Sequence, residues 1–293
     1  MRLSELGEDG LLAGLERRGL VEGIADDGAE LGGGLVVTQD VLVEDVHFRL
    51  AWTSWRDLGY KAAAVNLSDL AALGAEPTAL LVSLAAPPET RAADVEELYE
   101  GLNEPAVSIV GGDTTRAERL TVVVTALGRS ERVPGRSSAR PGDVVVVTGP
   151  LGGAAAGLHA LRHGLAGHEA HVERHRRPPL RLAEGRRLAA TAHALMDLSD
   201  GIATDAARLA ARSGVRITID VERLPLADDL PDTGGVPFWT QGEDYELLAA
   251  LAPDDPLADE LPRVGRVEPG EGVELRREGV PLDVQGWDSL RTP

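Results

Sequence analysis

The sequence contains no cysteine and a single lysine, Lys61. Without cysteine, disulfides, thiolate metal sites and cysteine nucleophiles are all excluded. The lone lysine among arginines reads as compositional bias towards Ala, Gly, Arg and Pro. Aromatics make up only 3% of the residues against a hydrophobic fraction of 43%, so the core must be built from Ala, Leu and Val. No apolar run approaches the roughly 18 residues that span a membrane. The opening MRLSELGEDGLLAGL places acids where a signal peptide needs a basic and then apolar stretch, so a cytoplasmic location is expected. Basic residues are also scarce, 29 against 48 acids, for a formal charge of −19. That balance argues against nucleic acid or an anionic membrane as a standing partner, and an anionic ligand would need metal ions to intervene locally.

At 293 residues the chain has room for one large or two medium domains. Leu6 to Arg18 reads as a short amphipathic helix. Adjacent Asp26 and Asp27 beside Gly28 fit a solvated turn or a paired ligand for a hard cation. The strand from Leu35 to Thr38 runs into Gln39 and Asp40, with His47 a few residues on. Ser54 with Asp57 forms a helix start and Gly74 with Pro77 a stop, so one long helix is expected between them. That helix is apolar nearly all round and hence buried. Asp69 lies on the face of Leu58, Ala62 and Val65, where an unpaired carboxylate is costly. It needs either metal or phosphate chemistry, or structural partners such as Lys61 and Asn66.

Ala79 to Leu84 reads as a strand and Ala92 to Leu102 as a helix. Ser108 to Val110 and Leu120 to Thr125 then read as strands flanking Gly111-Gly112-Asp113-Thr114-Thr115-Arg116, which is either a hairpin turn or a site. Arg116 would meet a phosphate or bridge to a neighbouring loop. The order so far suits an α+β domain with helices on one sheet face. Polar Arg129 to Pro141 is the expected boundary, dividing the chain into 1–136 and 137–293.

Beyond it, Val144 to Thr148 is an apolar strand leading through Gly149, Gly152 and Gly153 into an alanine-rich helix. The glycine spacing is not that of a dinucleotide-binding turn. His159, His163, His168, His171 and His175 cluster among arginines and read as a solvated, partly helical linker. In Met196-Asp197-Leu198-Ser199-Asp200-Gly201, Ser199 or Asp200 could cap the next helix, or the helix start could receive phosphate. Val215 to Val221 alternates as a strand. Gly242-Glu243-Asp244-Tyr245-Glu246 precedes a strand from Leu247 to Leu251, and the Pro/Gly-rich tail closes on Gly286-Trp287-Asp288.

Asp26, Asp27, Asp40, Asp69, Asp113, Asp197 and Asp200 thus follow apolar runs or loops throughout the chain, with few candidate bases. Many carboxylates and few bases suit phosphoryl transfer between polyanions, where magnesium cancels charge and aligns the phosphates. An acceptor that is itself a phosphate is largely ionised at neutral pH and needs no strong base.

GIADDGAEL, TQDVLVEDVHF, YKAAAVNLSDLAALGAEP, GGDTTR, RPGDVVVVTG, MDLSDG and GEDYEL occur in that order over almost the whole chain. Together they resemble the thiamine-monophosphate kinases, of the PurM-like superfamily that includes aminoimidazole ribonucleotide synthetase. The resemblance implies ATP-dependent phosphorylation of thiamine monophosphate to thiamine diphosphate by in-line transfer, with several Mg2+ ions and ATP as co-substrate. It implies a two-domain α/β (α+β) fold, in which the N-terminal mixed-sheet domain forms a dimeric β-barrel and the C-terminal domain is α/β. The N-terminal domain would bind ATP and magnesium, and the partner would be a second copy in a homodimer. On matching positions Asp26, Thr38, Gln39, Asp40, Asp69, Asp113, Asp197 and Asp200 would hold magnesium, with Asp40, Asp113 and Asp200 central to catalysis. Gly112, Asp113, Arg136 and Ser199 would contact ATP, and His47, Glu243 and Trp287 thiamine monophosphate.

Two motifs depart from the family pattern: Gln39 replaces a threonine, and Ser289-Leu290 replaces the His-Phe that follows Trp-Asp. The alternatives are another ATP-dependent enzyme of the superfamily, synthetase-like or hydrogenase-maturation-like, and a non-catalytic acidic cation-binding module. GEDYEL and Gly-Trp-Asp favour the kinase, and a mere cation sponge has no reason to bury Asp69.

Overall fold

The computed structural model describes residues 2–22, 26–231 and 236–282. Trp287 and the substitutions at Ser289 and Leu290 lie outside the described residues. Two sheets organise the chain. The first has the order β1-β2-β5-β3-β4, from β1 (Ala29–Gly32), β2 (Leu35–Val43), β3 (Glu76–Ala86), β4 (Ile109–Arg116) and β5 (Thr121–Arg129). Its pairs are antiparallel except β3 with β4. Strict alternation along β2 and β5 buries Val36, Leu42, Val122, Val124 and Ala126 under α2 (Trp55–Ala72) and α3 (Ala92–Asn103). The opposite sheet face leaves Val41 and Leu81 exposed.

The expected hairpin around GGDTTR is not formed. The segment is itself strand β4, and β3 lies between it and β5, so the two strands never pair. The reason is the connection through α3, which delivers β4 alongside β3 in parallel. Gly112 is fixed by that pairing. Its φ is 151°, and a Cβ there would sit 1.7 Å from the Val82 carbonyl oxygen.

The second sheet has the order β12-β11-β8-β10-β6-β9-β7. Its strands are β6 (Val144–Val147), β7 (Ala194–Asp197), β8 (Arg216–Asp220), β9 (Leu247–Leu251), β10 (Arg263–Glu268), β11 (Gly272–Arg277) and β12 (Val280–Leu282). The Pro/Gly-rich tail therefore contributes three strands, and β10 enters mid-sheet between β8 and β6. The strands are short, three to six residues, and their charged residues follow no two-residue alternation, so no strand pattern stands out. α4 (Gly153–His163), α5 (Glu169–Arg176), α6 (Leu182–Thr191), α7 (Ile202–Ser213) and the short α8 (Leu257–Glu260) complete this part.

The histidine stretch is partly helical as expected, with His159 and His163 in α4 and His171 and His175 in α5, but it is no solvated linker, since His171 and His175 are buried. Gly157 of α4 makes this possible, because a Cβ there would lie 2.0 Å from the His171 carbonyl oxygen. Its arginines are anchored rather than solvated: Arg174 pairs with the fully buried Glu246, and Arg177 reaches Asp57 and Glu104.

α2 is the hub. Ser54 Oγ accepts from the Asp57 N–H at 3.0 Å, and the helix stops where Gly74 N donates to Ala71 O and Ala75 N to Leu70 O. Leu58, Leu67, Leu70 and Leu73 pack under the first sheet, while Ala71 and Ala72 join Leu188, Leu195, Leu247 and Leu251. Burial on both sides is the predicted consequence of a helix apolar nearly all round. Leu3–Arg17 forms α1, kinked at Gly7, whose Glu16 lies 3.7 Å from Arg212 of α7. Among the described residues no helix is long and apolar enough to cross a membrane.

Candidate active site

Three segments distant in sequence bring Asp27, Asp69 and Asp197 together, each with a carboxylate oxygen within 4.8 Å of the others'. Asp27 precedes β1, Asp69 is in the last turns of α2, and Asp197 ends β7. At that separation each ionised pair repels by at least about 3 kcal/mol at an effective dielectric of about 20. Burial, then neighbouring Asp40, Asp197 and Asp27, push Asp69 well above the usual carboxylate range. Burial and then Asp27 do the same to Asp197, which Ser68 Oγ opposes by donating to Oδ2 at 2.7 Å.

Asp69 is partly exposed rather than sealed in. Its partner is neither of the two residues expected from its own helix. Lys61 pairs elsewhere, and Asn66 bridges from the Ala62 carbonyl to the Asp40 N–H at 3.0 Å each. Thr38 Oγ1 instead lies 2.5 Å from Asp69 Oδ2 and 2.9 Å from the Asp27 carbonyl oxygen. A hydroxyl carries one proton, so both contacts become hydrogen bonds when Asp69 is protonated and supplies the second.

Asp40, on the α2 side of β2, adjoins the cluster. Burial, then Asp200 and Asp27, push its carboxyl up to about 6. Gln39 points to the other face of β2 and is exposed. Asp26 accepts from the Arg136 N–H at 2.6 Å, while the Arg136 guanidinium pairs with Asp27. Asp27 Oδ2 and Arg136 Nε remain buried without hydrogen-bond partners.

Ser199 and Asp200 do not cap α7, whose first residue follows Gly201 with no side-chain cap. Asp200 pairs with Arg208, and its N–H donates at 3.1 Å to Asp205. Asp205 was not among the expected residues. Its spacing from Ile202 and Leu209 puts it on the inward face of α7, where it is fully buried and pushed well above its usual range, first by burial and then by Asp200.

Asp113 stands apart. It is exposed on edge strand β4, accepting from the Thr114 N–H at 2.8 Å. Neighbouring Gly112 is three strands from Asp40 across the sheet, a distance of roughly 14 Å at ordinary strand spacing. Arg116 ends the same strand, also exposed.

A second constellation lies about two turns back along α2, at Lys61. Lys61 Nζ lies 3.0 Å from Glu243 Oε1, and His175 Nδ1 lies 3.0 Å from Oε2. Glu243 adopts φ 62°, and its N–H donates to the Ser199 carbonyl at 2.8 Å. His47 Nδ1 accepts from Val43 N–H at 3.0 Å. Burial lowers its pKa first, with Glu243 pulling the other way. Lys61, a product of bias by composition alone, is thus a buried ion-pair partner. The next acid, Asp244, accepts from Gly152 N and Ala154 N at 2.7 and 3.3 Å. It occupies the start of α4, so the glycine-rich turn after β6 has no free end for a phosphate.

The chain matches the AIR synthase related protein models, the N-terminal domain over residues 19–130 and the C-terminal domain over 140–276. The thiamine-monophosphate kinase of Aquifex aeolicus is 37% identical over 98% of this chain and 99% of its own length. That of Bacillus subtilis is 40% identical over 80% and 78%. A solved structure described as AaThiL complexed with AMPPCP and TMP superposes with a TM-score of 0.89, at 36% identity and 98% coverage of both chains.

Proposed function

The chain belongs to the AIR synthase-related family, among its thiamine-monophosphate kinases, and from that premise we infer that it phosphorylates thiamine monophosphate at the expense of ATP. The carrying observation is the carboxylate trio drawn from both parts of the chain, in a protein similar at full length to a kinase solved with a nucleotide analogue and TMP. The donor set is all oxygen, which suits a hard divalent cation, and the unpartnered Asp27 Oδ2 offers a buried acceptor. Asp27, Asp69 and Asp197 would hold magnesium, with Asp40 and Asp200 adjoining and Asp26 fixing the Arg136 turn. Magnesium, when bound, supplies charge neutralisation and alignment of the two phosphate groups.

The chain's own side chains orient this set. Ser68 and Thr38 hold Asp197 and Asp69 in place, and Asn66 fixes the backbone at Asp40. Arg136 and Ser199, beside the trio, are the residues read as ATP contacts. No general base is assigned, since the acceptor phosphate is largely ionised at neutral pH. His47 and Glu243 are read as contacts to thiamine monophosphate, with Glu243 held at Lys61 about two helical turns from Asp69. Asp113 and Gly112 are read as reaching ATP from the edge strand, through phosphate groups that span the distance to Asp40.

We further read 1–136 as the ATP- and magnesium-binding domain and 137–293 as the C-terminal α/β domain. The open face of the first sheet, with Val41 and Leu81 exposed, supports its joining a second copy in a homodimer. Incubating the purified protein with ATP, magnesium and thiamine monophosphate should yield thiamine diphosphate, with free thiamine as the control. Absence of product, or equal use of free thiamine, would overturn the assignment.

A further inference from the structure

We propose that Lys61 and His175 are positioning residues that hold the Glu243 carboxylate for the ring end of the substrate, an inference resting on the reading of Glu243 as a substrate contact. Three elements converge here: α2 brings Lys61, α5 brings His175, and the turn before β9 brings Glu243. The side chains of Lys61 and His175 are 5% and 8% exposed, whereas Glu243 is 27% exposed and forms the open side of the group. A carboxylate offers about four lone-pair directions, and the two contacts use at most two of them. The others remain to accept from a donor-bearing heteroaromatic cation, the class to which an aminopyrimidine joined to a thiazolium belongs.

The arrangement makes little sense as simple packing. His175 Nδ1 lies within 3.0 Å of Glu243 Oε2, yet the ring is turned off the line of a hydrogen bond and the nitrogen has no partner. Burial opposes the charge on Glu243, but the Lys61 ammonium, helped by His175 only when that ring is protonated, outweighs it and holds the carboxyl well below its usual range. His175 is itself lowered, first by burial and then by Lys61, which favours the neutral ring. The group therefore carries one cation and one anion, leaving Glu243 ionised but without excess field.

Geometry also connects the group to the carboxylate trio. Lys61 and Asp69 are eight residues apart on one helix, about 12 Å along its axis. That is comparable with the length of an extended thiamine phosphate. At the other side, Glu243 N–H bonds the Ser199 carbonyl, two residues from Asp197. One rigid helix and one constrained turn thus set the distance between the ring end and the phosphate end.

Because Lys61 is the only lysine, lysine-selective 15N labelling of the full chain gives a single side-chain ammonium signal. It should shift on adding thiamine monophosphate and stay in place with a non-hydrolysable ATP analogue alone; an unmoved signal with the former overturns the proposal. In kinetics, Lys61→Met should raise KM for thiamine monophosphate about tenfold, roughly one charged hydrogen bond, and His175→Gln should raise it by a smaller factor, because the neutral ring confines Glu243 without a hydrogen bond. KM for ATP should hold, and Lys61→Arg should recover part of the loss. Equal rises in both KM values, with no recovery in Lys61→Arg, would mark a merely structural role and overturn it. Glu243→Gln separates the two layers. If it raises KM for thiamine monophosphate while the other variants do not, the positioning role fails and the Glu243 reading stands. If it changes nothing, the Glu243 reading falls and the positioning role with it.

Discussion

Ser68 of α2 donates a 2.7 Å hydrogen bond to Asp197 at the end of β7, 129 residues further along the chain. Ser68 adjoins Asp69, so one turn of helix both supplies a carboxylate and orients another from the second sheet. Ser68→Ala should leave the fold intact and raise the magnesium concentration for half-maximal activity by about tenfold, the usual cost of removing a group that orients a metal ligand. A magnesium titration of initial rates checks it, and an unchanged midpoint would deny Ser68 that role.

Asp69→Asn and Asp197→Asn should each lower kcat by at least about a hundredfold, as loss of a preorganised electrostatic group does. Both should raise the melting temperature in EDTA by a few degrees, because each removes one member of a mutually repelling trio. Melting curves with EDTA and with magnesium test the sign. A lower melting temperature in EDTA would mean that the trio is held by protons and hydrogen bonds strongly enough to stabilise the metal-free fold.

Asp113→Asn should abolish turnover with almost no effect on stability, since the Asp113 side chain is exposed and accepts only from the N–H of the next residue. Circular dichroism melts alongside thiamine diphosphate production separate the two effects. Near-normal turnover would leave Asp113 a residue of the strand edge and nothing more.

Asp244 gives a pH prediction. Burial pushes its carboxyl from 3.8 up to about 7, against the Gly152 and Ala154 N–H groups and Arg174. The folded chain then binds this proton more tightly than the unfolded chain, so the stabilisation is complete below about 4 and is lost as pH rises through about 7. The full loss is at most about 4 kcal/mol. Urea unfolding at pH 5 and pH 8 should show wild type losing stability relative to Asp244→Asn over that interval. Parallel pH dependence in the two proteins would contradict the assignment.

Most elements were legible because local rules carry them. The Ser54 cap, the stop at Gly74 and the all-round apolar surface of α2 are short-range facts, and the structure repeats them. The N-terminal helix follows from periodicity in the same way, and β9 from its continuous apolar run. What failed was long-range. Two strands adjacent in sequence looked like a hairpin, but pairing depends on where α3 returns the chain. Arginine and histidine around α5 looked solvated, because nothing local reveals that Glu246 and Glu243 wait for Arg174 and His175.

The sequence by itself determined the inventory: an acidic, cysteine-free chain with aspartates after apolar runs, and ordered motifs that place it in its family. Only the tertiary structure decided which aspartates meet. It chose Asp27, Asp69 and Asp197, added Asp205, set Asp113 three strands away and turned the single lysine towards Glu243. The reason is physical: the spacing of a motif constrains neighbours along one helix or strand. The distance between charges on different elements depends on sheet order and helix packing, which no single segment encodes.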